Sequence, residues 1–395
     1  MPADPGFVDH DGGYVEHDLD SMAFHPESAP TVVTGGVPTP PPDGVLGREI
    51  GGKYKVQRFL AKGGMGRVYA GHELETERSV AIKTLAVDSD DALFRRRFFN
   101  EAAMSASLSH PNVVDVLDYG VDDDGTCYIV MELLEGETLA ALVKREKRLD
   151  VAHALRIVRQ VCAALTAAHA EGFIHRDLKP SNLFITPIGD EGDYVVKVLD
   201  FGLAKRLSAD NSLTQTGSFL GSPTYMSPEQ ITGTELTVAS DLYNLGVLLY
   251  RMVAGRPPFV GDVASAVLVD HATKAPPSFA DTAPDLPARP QVEWVVMRCL
   301  AKSPADRFAT ADELDRAIHA CLRLEEGESS YLGFDMVEGK VEIHSDRAEA
   351  RARAKSASGP QALTWAIAVF GVGIGAMLAA MGLVGLVAWL LSNGL

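Results

Sequence analysis

Three polar residues within a span of six, Asp177, Lys179 and Asn182, have the side-chain types and spacing that phosphoryl transfer requires. An aspartate can orient a hydroxyl group, a lysine two residues later can screen a moving phosphoryl group, and an asparagine can hold a metal ion. An apolar stretch over residues 183–185 follows directly and predicts a strand. We therefore predict a loop that presents polar side chains from the edge of an apolar scaffold. For Asp177 considered alone, an ordinary charged surface loop is the competing interpretation.

Three further stretches carry residues with compatible chemistry. Asp200 follows a predicted strand over residues 195–199, so its carboxylate lies at a strand end and can bind a divalent cation. Lys83 lies in a predicted strand, where a buried lysine needs a partner, and Glu101 in the following helix is the expected one. The glycine-rich segment 60–68 lets backbone N–H groups approach phosphates. Each signal is weak alone, but their order along the chain argues against an accidental match.

The elements that must position these residues are visible as changes in periodicity. Up to residue 132, short alternating or apolar runs predict an antiparallel sheet with one helix over residues 91–108. Beyond residue 137 helical periodicity dominates, with clear helices near 151–169, 239–254 and 291–300. We predict an α+β fold with two lobes, small and β-rich followed by larger and α-helical, and a ligand site in the crevice between them. The five predicted strands cover residues 54–60, 67–71, 80–85, 113–119 and 127–132.

Composition and charge restrict the function classes. The formal net charge of -17, with no concentrated basic patch, argues against a nucleic-acid-binding protein, because a phosphate backbone would be repelled. The four cysteines are far apart and form no Cys-x-x-Cys pair, which predicts buried free thiols in a reducing compartment. The N-terminus is acidic and has no apolar segment, so no secretory signal is expected. We expect the folded domain to lie in the cytoplasm.

Both ends of the chain differ in composition from the predicted domain. Residues 1–46 hold eight acidic residues, no Lys or Arg, and many Pro and Gly, so we predict a disordered tail. Residues 362–391 carry no charge and are long enough to span a bilayer, which predicts a single transmembrane helix after a linker over 323–361. Basic residues precede this span, so the positive-inside bias places the preceding chain in the cytoplasm. Gly371 and Gly375 are spaced for a homodimer contact, although glycine is common in such helices.

Together these motifs resemble those of the eukaryotic-like serine/threonine protein kinases of bacteria. The resemblance covers about residues 54–322 and implies a bilobal protein-kinase fold, with an N-lobe of about 54–131 and a C-lobe of about 134–322. It also implies ATP and Mg²⁺ as cofactors and proteins as substrates. The shared motifs are the glycine-rich segment, Val-Ala-Ile-Lys ending at Lys83, His-Arg-Asp-Leu-Lys-Pro-Ser-Asn ending at Asn182, Asp-Phe-Gly starting at Asp200, and Ser-Pro-Glu ending at Glu229.

The resemblance assigns roles to individual residues. Asp177 would be the catalytic base, Lys179 would steady the γ-phosphate, and Asn182 with Asp200 would hold Mg²⁺. Lys83, paired with Glu101, would grip the α- and β-phosphates, and the hinge at residues 132–134 would hydrogen-bond adenine. The implied nucleotide-binding residues are Leu60, Ala61, Gly63, Gly64, Gly66, Val68, Ala81, Lys83, Glu101, Glu132, Leu134 and Leu183.

One departure from the family pattern concerns the glycine-rich segment. Ala61 stands where the first loop glycine belongs. A methyl group costs little if the backbone keeps a negative φ, so we expect reduced loop flexibility rather than lost activity. The family also implies that Glu229 pairs with Arg307 in the large lobe.

Regulation and specificity are further expectations. Thr214 and Thr216 resemble paired threonines that related kinases autophosphorylate, and a phosphate there would dock against Arg176 and order the loop. A polar loop without a regulatory role is the alternative. The lysine in Asp177-Leu178-Lys179 favours transfer to Ser/Thr hydroxyls. An active kinase at the cell membrane is thus the main hypothesis, and a membrane-tethered pseudokinase scaffold and a small-molecule phosphotransferase are the alternatives.

Overall fold

The N-lobe sheet places Lys83 and the glycine-rich segment on neighbouring strands. It contains six antiparallel strands in the order β1-β2-β3-β4-β6-β5, and helix α1 (Ala92–Ser107) lies between β4 and β5 in the chain. Central strand β4 is almost entirely buried, whereas edge strand β5 alternates between half-buried and exposed residues. The strands are β1 (Glu49–Ile50), β2 (Tyr54–Lys62), β3 (Gly66–Glu73), β4 (Ser79–Leu85), β5 (Val116–Val121) and β6 (Cys127–Glu132).

All five predicted N-lobe strands and the helix are confirmed, most with ends one or two residues from the predicted ones, and the largest shift is at the start of β5. Strand β5 begins at Val116 rather than at residue 113. Val113 instead forms a bridge with Val198, and the Val114 N–H donates to the Val198 carbonyl at 3.1 Å. The apolar run is therefore divided between two sheets, and its first residues bind the C-lobe. The two-residue strand β1 is too short to produce a periodic signal.

The C-lobe is mainly helical around a nearly buried α5. A three-stranded sheet, β7 (Glu137–Thr138), β8 (Leu183–Ile188) and β9 (Asp193–Val198), carries the residues next to the crevice. The predicted helices near 151–169, 239–254 and 291–300 are confirmed as α3, α5 and α8. The helices are α2 (Leu139–Glu146), α3 (Val151–Ala170), α4 (Pro228–Thr232), α5 (Val238–Ala254), α6 (Ala264–Thr273), α7 (Phe279–Thr282), α8 (Pro290–Cys299) and α9 (Ala311–Glu325).

Helix α3 is long and apolar enough to cross a membrane by length and composition, and it is the one such helix in the described part of the chain. It is a core helix, since ten of its twenty residues are buried and it packs against α5 and α9. Asp150 caps its start by accepting from the His153 N–H at 3.2 Å. All four cysteines are buried and free, as predicted.

The computed structural model describes residues 44–63, 66–85, 92–189, 192–201, 223–287, 289–325, 334–337 and 340–343. Residues 332–395 form a second unit, in which β10 (Phe334–Val337) and β11 (Lys340–Ile343) pair as an antiparallel hairpin. The transmembrane span with its glycine pair and the threonine pair Thr214 and Thr216 lie outside the described residues, as does the predicted disordered tail up to residue 43. The predicted end of that tail at residue 46 is wrong, because Val45 is buried in an N-lobe core cluster and Leu46 packs against it.

Candidate active site

A buried carboxylate holds the loop 175–182, here called the Asp177 loop. Arg176 has a φ of 67°, in the left-handed region that costs a non-glycine residue about 1–3 kcal/mol. Asp241, in the first turn of α5, accepts from the backbone N–H groups of Arg176 and His175, both at 2.8 Å. It also lies 2.9 Å from His169 Nε2. Because α5 is buried, Asp241 fixes the backbone direction from which the Asp177 side chain starts.

The three residues first noted in the sequence lie together in this loop. Lys179 Nζ is 3.1 Å from Asp177 Oδ2. Asn182 Nδ2 donates to the Asp177 carbonyl at 2.8 Å and lies 3.3 Å from its Oδ2 atom. A short 3₁₀ helix, Pro180–Asn182, brings Asn182 back to this position. The Asp177 side chain is 18% exposed while that of Lys179 is 4% exposed, so the carboxylate keeps access to solvent between buried neighbours.

Lys83 and Asp200 form the second charged cluster. Lys83 Nζ lies 2.9 Å from Asp200 Oδ1, and the two side chains are only 8% and 20% exposed. Asp200, two residues after the end of β9, has a φ of 46°, which is again a left-handed conformation at a non-glycine residue. The predicted partner Glu101 lies in α1, but its side chain is outside the described residues. The structure thus adds a Lys83–Asp200 pair that the sequence did not predict.

His175 and Asn182 connect the two clusters. His175 Nε2 lies 3.0 Å from the Leu199 carbonyl, and its Nδ1 lies 3.3 Å from the Asp177 N–H. One nitrogen donates and the other accepts, so the ring is neutral, and burial lowers the pKa of His175 in agreement. The Leu199 N–H donates to the Asn182 carbonyl at 2.9 Å. These bonds fix Asp177 relative to Asp200.

The oxygen atoms of Asn182 and Asp200 suit a magnesium ion. Asn182 is 1% exposed, and its Oδ1 atom is buried with no hydrogen-bond partner among the described residues. Such an unpaired acceptor costs about 1–3 kcal/mol unless something binds it. Mg²⁺ prefers oxygen ligands and retains water or phosphate oxygens in its remaining positions. Asn182 has a buried amide oxygen without a partner in the described part of the chain, and its carbonyl binds the N–H of Leu199, the residue before Asp200; these two residues therefore fit this ion.

Apolar side chains from both lobes meet beside these charges. Four implied nucleotide-binding residues are buried in one cluster: Leu60, Val68, Ala81 and Leu134. The C-lobe contributes Phe184 to this cluster, whereas Leu183 is fully buried but is not a member of it. Neighbouring residues of a strand face opposite sides, so only one of these two can face the cluster. Phe184, and not Leu183, therefore packs in this cluster.

The glycine-rich segment closes between β2 and β3. The Gly63 N–H donates to the Gly66 carbonyl at 2.8 Å. A side chain at Gly66 would overlap the Thr84 carbonyl, so this glycine is required for the close approach of β3 to β4. Ala61 is not among the residues with positive φ, and it pairs with Val68. The condition under which its methyl group is tolerated is therefore met. Gly64 lies outside the described residues.

The side chain of Glu132, in the predicted hinge, is engaged in an ion pair. Its Oε1 atom accepts from Lys197 Nζ at 2.7 Å and from the Asp115 N–H at 2.9 Å. Lys197 also donates to the Val113 carbonyl at 3.2 Å. An adenine ring would consequently be met by the backbone of residues 132–134 rather than by this carboxylate. The sequence did not single out Lys197, because no motif marks a partner 65 positions away.

The implied pair of Glu229 and Arg307 is present and buried. Arg307 Nη1 and Nη2 lie 2.6 and 2.9 Å from the two carboxylate oxygens of Glu229. Burial alone would raise the pKa of Glu229, but the hydrogen bonds and charge of Arg307 outweigh it, and the pKa lies below its usual value. The pair joins α4 to the segment after α8 within the C-lobe.

Comparison with known proteins decides the family. The protein kinase domain family matches residues 54–318, which is more than half of the chain. The chain belongs to the protein kinase family. Membership implies the use of ATP and Mg²⁺, and it explains why the two charged clusters and the apolar cluster meet between the lobes.

Several curated bacterial kinases are similar to this kinase domain. Serine/threonine-protein kinase pkn3 of Myxococcus xanthus is 40% identical over 287 residues, covering 71% of this chain and 52% of its own length. PknA of Mycobacterium tuberculosis is 41% identical over 280 residues, covering 70% and 62%. The chain thus spans about half to three fifths of the length of these relatives. A crystal structure of the Mycobacterium tuberculosis PknI kinase domain is 30% identical, with a TM-score of 0.54, and covers 70% of this chain and 98% of that one.

Proposed function

We propose that the chain is a serine/threonine protein kinase that transfers the γ-phosphate of ATP to Ser/Thr hydroxyl groups of proteins. The observation that carries this proposal is the junction of two charged clusters, Asp177 with Lys179 and Lys83 with Asp200, through backbone bonds of Asn182. Phosphoryl transfer needs positioning and charge neutralisation more than covalent chemistry, and these clusters supply both.

Asp177 is the proposed base. Its carboxylate is partly exposed and oriented by the buried Asn182 amide, so it can accept a hydrogen bond from a substrate hydroxyl and take its proton as the bond to phosphorus forms. Lys179 lies beside it as a fixed positive charge that would offset negative charge on the transferred group. Asn182 and Asp200 would hold Mg²⁺, which supplies charge neutralisation at the phosphate oxygens.

The nucleotide would lie on the apolar cluster. The adenine ring would pack between the N-lobe residues Leu60, Val68 and Ala81 and the C-lobe residue Phe184, which we place here instead of Leu183. Lys83 would bind the α- and β-phosphates, with Glu101 as a proposed further partner, and Gly63, Gly64 and Gly66 would cover the phosphates.

Specificity and regulation follow from the family resemblance. Lys179 after Asp177 and the names of the relatives support serine/threonine substrates. We propose autophosphorylation at Thr214 and Thr216 as the activating event, and residues 362–391 as a single-pass anchor that keeps the kinase domain on the cytoplasmic face of the cell membrane. A homodimer through Gly371 and Gly375 belongs to the same proposal.

Protein phosphorylation by the purified full chain in mild detergent tests the function. With labelled ATP, Mg²⁺ and a generic basic protein, we expect label on the protein, and a loss of about 10²- to 10⁴-fold in Asp177→Asn. Asp123→Asn, a matched change at an exposed site of the β5–β6 turn, should label like the wild type. Wild-type protein that binds ATP but labels no protein would favour the pseudokinase scaffold. Transfer of label from ATP to another small molecule, with none on protein, would favour the small-molecule phosphotransferase.

A further inference from the structure

A glutamine in α4 contacts the Asp177 loop. Gln230 Nε2 donates to the backbone carbonyl of Arg176 at 2.6 Å. The other amide atom, Oε1, accepts from the Ser227 N–H at 2.9 Å. A backbone N–H can only donate, so this bond identifies the oxygen end of the amide and leaves the nitrogen end facing Arg176. The orientation of the Gln230 amide is therefore fixed by Ser227, the N-cap residue of α4.

The carbonyl that Gln230 binds belongs to the peptide unit that leads into Asp177. The N–H of the same unit lies 3.3 Å from His175 Nδ1. On the other side of Arg176, its own N–H donates to Asp241. A non-glycine residue at a φ of 67° persists only where its surroundings determine it on several sides. Gln230 supplies the contact on the carbonyl side, as Asp241 does on the amide side.

The same amide reaches the segment in front of α4. Asn244 in α5 is 1% exposed, and its Nδ2 donates to the Tyr225 carbonyl and lies 3.4 Å from Gln230 Oε1. Tyr225, Met226 and Gln230 line one pocket together with Asp177. In the proposed function this segment meets the protein substrate. The half-buried amide of Gln230 thus contacts both the loop of the proposed base and, at Ser227, the segment that faces its substrate.

We propose that Gln230 is a positioning residue for phosphoryl transfer. It joins the peptide unit before Asp177 to residues 223–227, so that the carboxylate and the substrate hydroxyl are held at a fixed separation. Gln230 does not touch the reacting atoms and acts through Arg176. The proposal rests on the proposed function, in which Asp177 is the base.

Two substitutions remove the donor, and a third serves as the matched control. Gln230→Met preserves length without polar atoms, and Gln230→Glu keeps an acceptor for Ser227 but cannot donate to Arg176. In the full chain both should lower kcat for the basic protein by about 10- to 100-fold, the effect of misplacing a catalytic group. KM for ATP should stay within about twofold, because the apolar cluster is untouched. Thr232→Gly weakens the same helix away from the amide and should retain kcat.

Hydrogen exchange gives a reading that does not depend on activity. Amides of residues 175–178 should exchange faster in Gln230→Met than in the wild type or in Thr232→Gly. Unchanged hydrogen exchange at these amides would overturn the proposal whatever the kinetics. A normal kcat in Gln230→Met with a lower kcat only in Gln230→Glu would also overturn it, because the effect would then come from the added charge. An inactive wild type in which exchange still depends on Gln230 would instead overturn the proposed function and leave the structural coupling in place.

Discussion

Asn182 uses its amide in two directions. The Nδ2 atom holds the Asp177 carbonyl, while the buried Oδ1 atom has no partner in the described part of the chain. If the side chain served only to hold the loop, burying this oxygen would cost desolvation free energy that no hydrogen bond offsets. The arrangement is therefore better suited to metal binding than to loop structure alone.

Asn182→Ala should reduce kcat at least about 100-fold and raise the Mg²⁺ concentration needed for half-maximal activity, because a metal ion supplies several kcal/mol of charge stabilisation. Phosphoryl transfer measured across a Mg²⁺ titration gives both quantities. Asn112→Ala provides the control, since Asn112 is another buried asparagine that binds Gln160 and the Val196 carbonyl. Equal Mg²⁺ dependence in wild type and Asn182→Ala would remove Asn182 from the metal site.

His271 in α6 is a second buried residue with a defined protonation state. Its Nδ1 lies 2.9 Å from the Tyr243 hydroxyl, and Lys302 Nζ donates to its carbonyl at 2.8 Å. Burial, and next the positive charge of Lys302, lower the pKa of His271 from an ordinary 6.5 to about 4. Between these values the unfolded chain binds a proton that the folded protein excludes, so stability falls as the pH drops from 6.5 towards 4.

We expect this residue to contribute about 2 kcal/mol to the loss of unfolding free energy between pH 7 and pH 5. His271→Asn is neutral at both pH values and should flatten that part of the pH dependence, although it lowers stability at pH 7. Urea unfolding followed by tryptophan fluorescence at several pH values measures the difference. The same slope in both proteins would show that His271 titrates normally in the folded state.

At the scale of elements, the C-lobe depends on a close contact between α5 and α8. A Cβ atom at Gly246 would overlap Cβ of Cys299, so the two helices approach closely where their side chains are small or absent. Gly in a helix costs about 1 kcal/mol relative to Ala, but a larger residue at this position would prevent the close contact between α5 and α8. The identity of residue 246 is set by the neighbouring helix and not by helix propensity.

Gly246→Ala should consequently destabilise the kinase domain. Overpacking costs about 1–3 kcal/mol, which exceeds the gain of about 1 kcal/mol in helix propensity over most of that range. Gly261→Ala is the matched control, because its nearest side-chain atoms would lie at 3.5 Å or more. Thermal unfolding of both variants is the measurement. A Gly246→Ala protein more stable than the wild type would mean that the two helices can separate without cost.

At the scale of the whole molecule, the lobes are joined by more than the hinge. The Val198 N–H donates to the Asn112 carbonyl at 2.8 Å, and the Val114 N–H donates to the Val198 carbonyl at 3.1 Å. The ion pair of Lys197 with Glu132 lies beside these bonds. Because only Leu199 separates the end of β9 from Asp200, the bonds between β9 and the N-lobe segment 112–115 also hold the proposed metal ligand close to the N-lobe.

The uncharged stretch 362–391 concerns the molecule as a whole, because it would set where the kinase acts. We expect truncation after residue 359 to give a protein that is soluble without detergent and has unchanged kcat and KM, since it leaves intact residues 54–318, which the protein kinase domain family matches. Membrane fractionation and the phosphorylation assay test this. Full chain found in the soluble fraction without detergent would contradict the anchor.

Much of the fold and of the site could be predicted from the sequence. The elements that bear the site follow from local periodicity, because residues two apart in a strand or three to four apart in a helix share one environment. Asp177, Lys179 and Asn182 lie within one loop, so their proximity is guaranteed by the chain itself. For these three residues, sequence spacing alone was enough to predict that their side chains lie close together.

The tertiary structure decided the contacts between distant segments. Lys83 pairs with Asp200, Lys197 with Glu132, and Gln230 binds Arg176, and no local pattern encodes such partners. It also decided that Phe184 and not Leu183 joins the apolar cluster, because both are apolar and only the strand's orientation selects between them. The sequence by itself determined which chemical groups were available and in what local order. Packing determined which of them meet, since burial and hydrogen bonding are satisfied jointly by segments far apart in the chain.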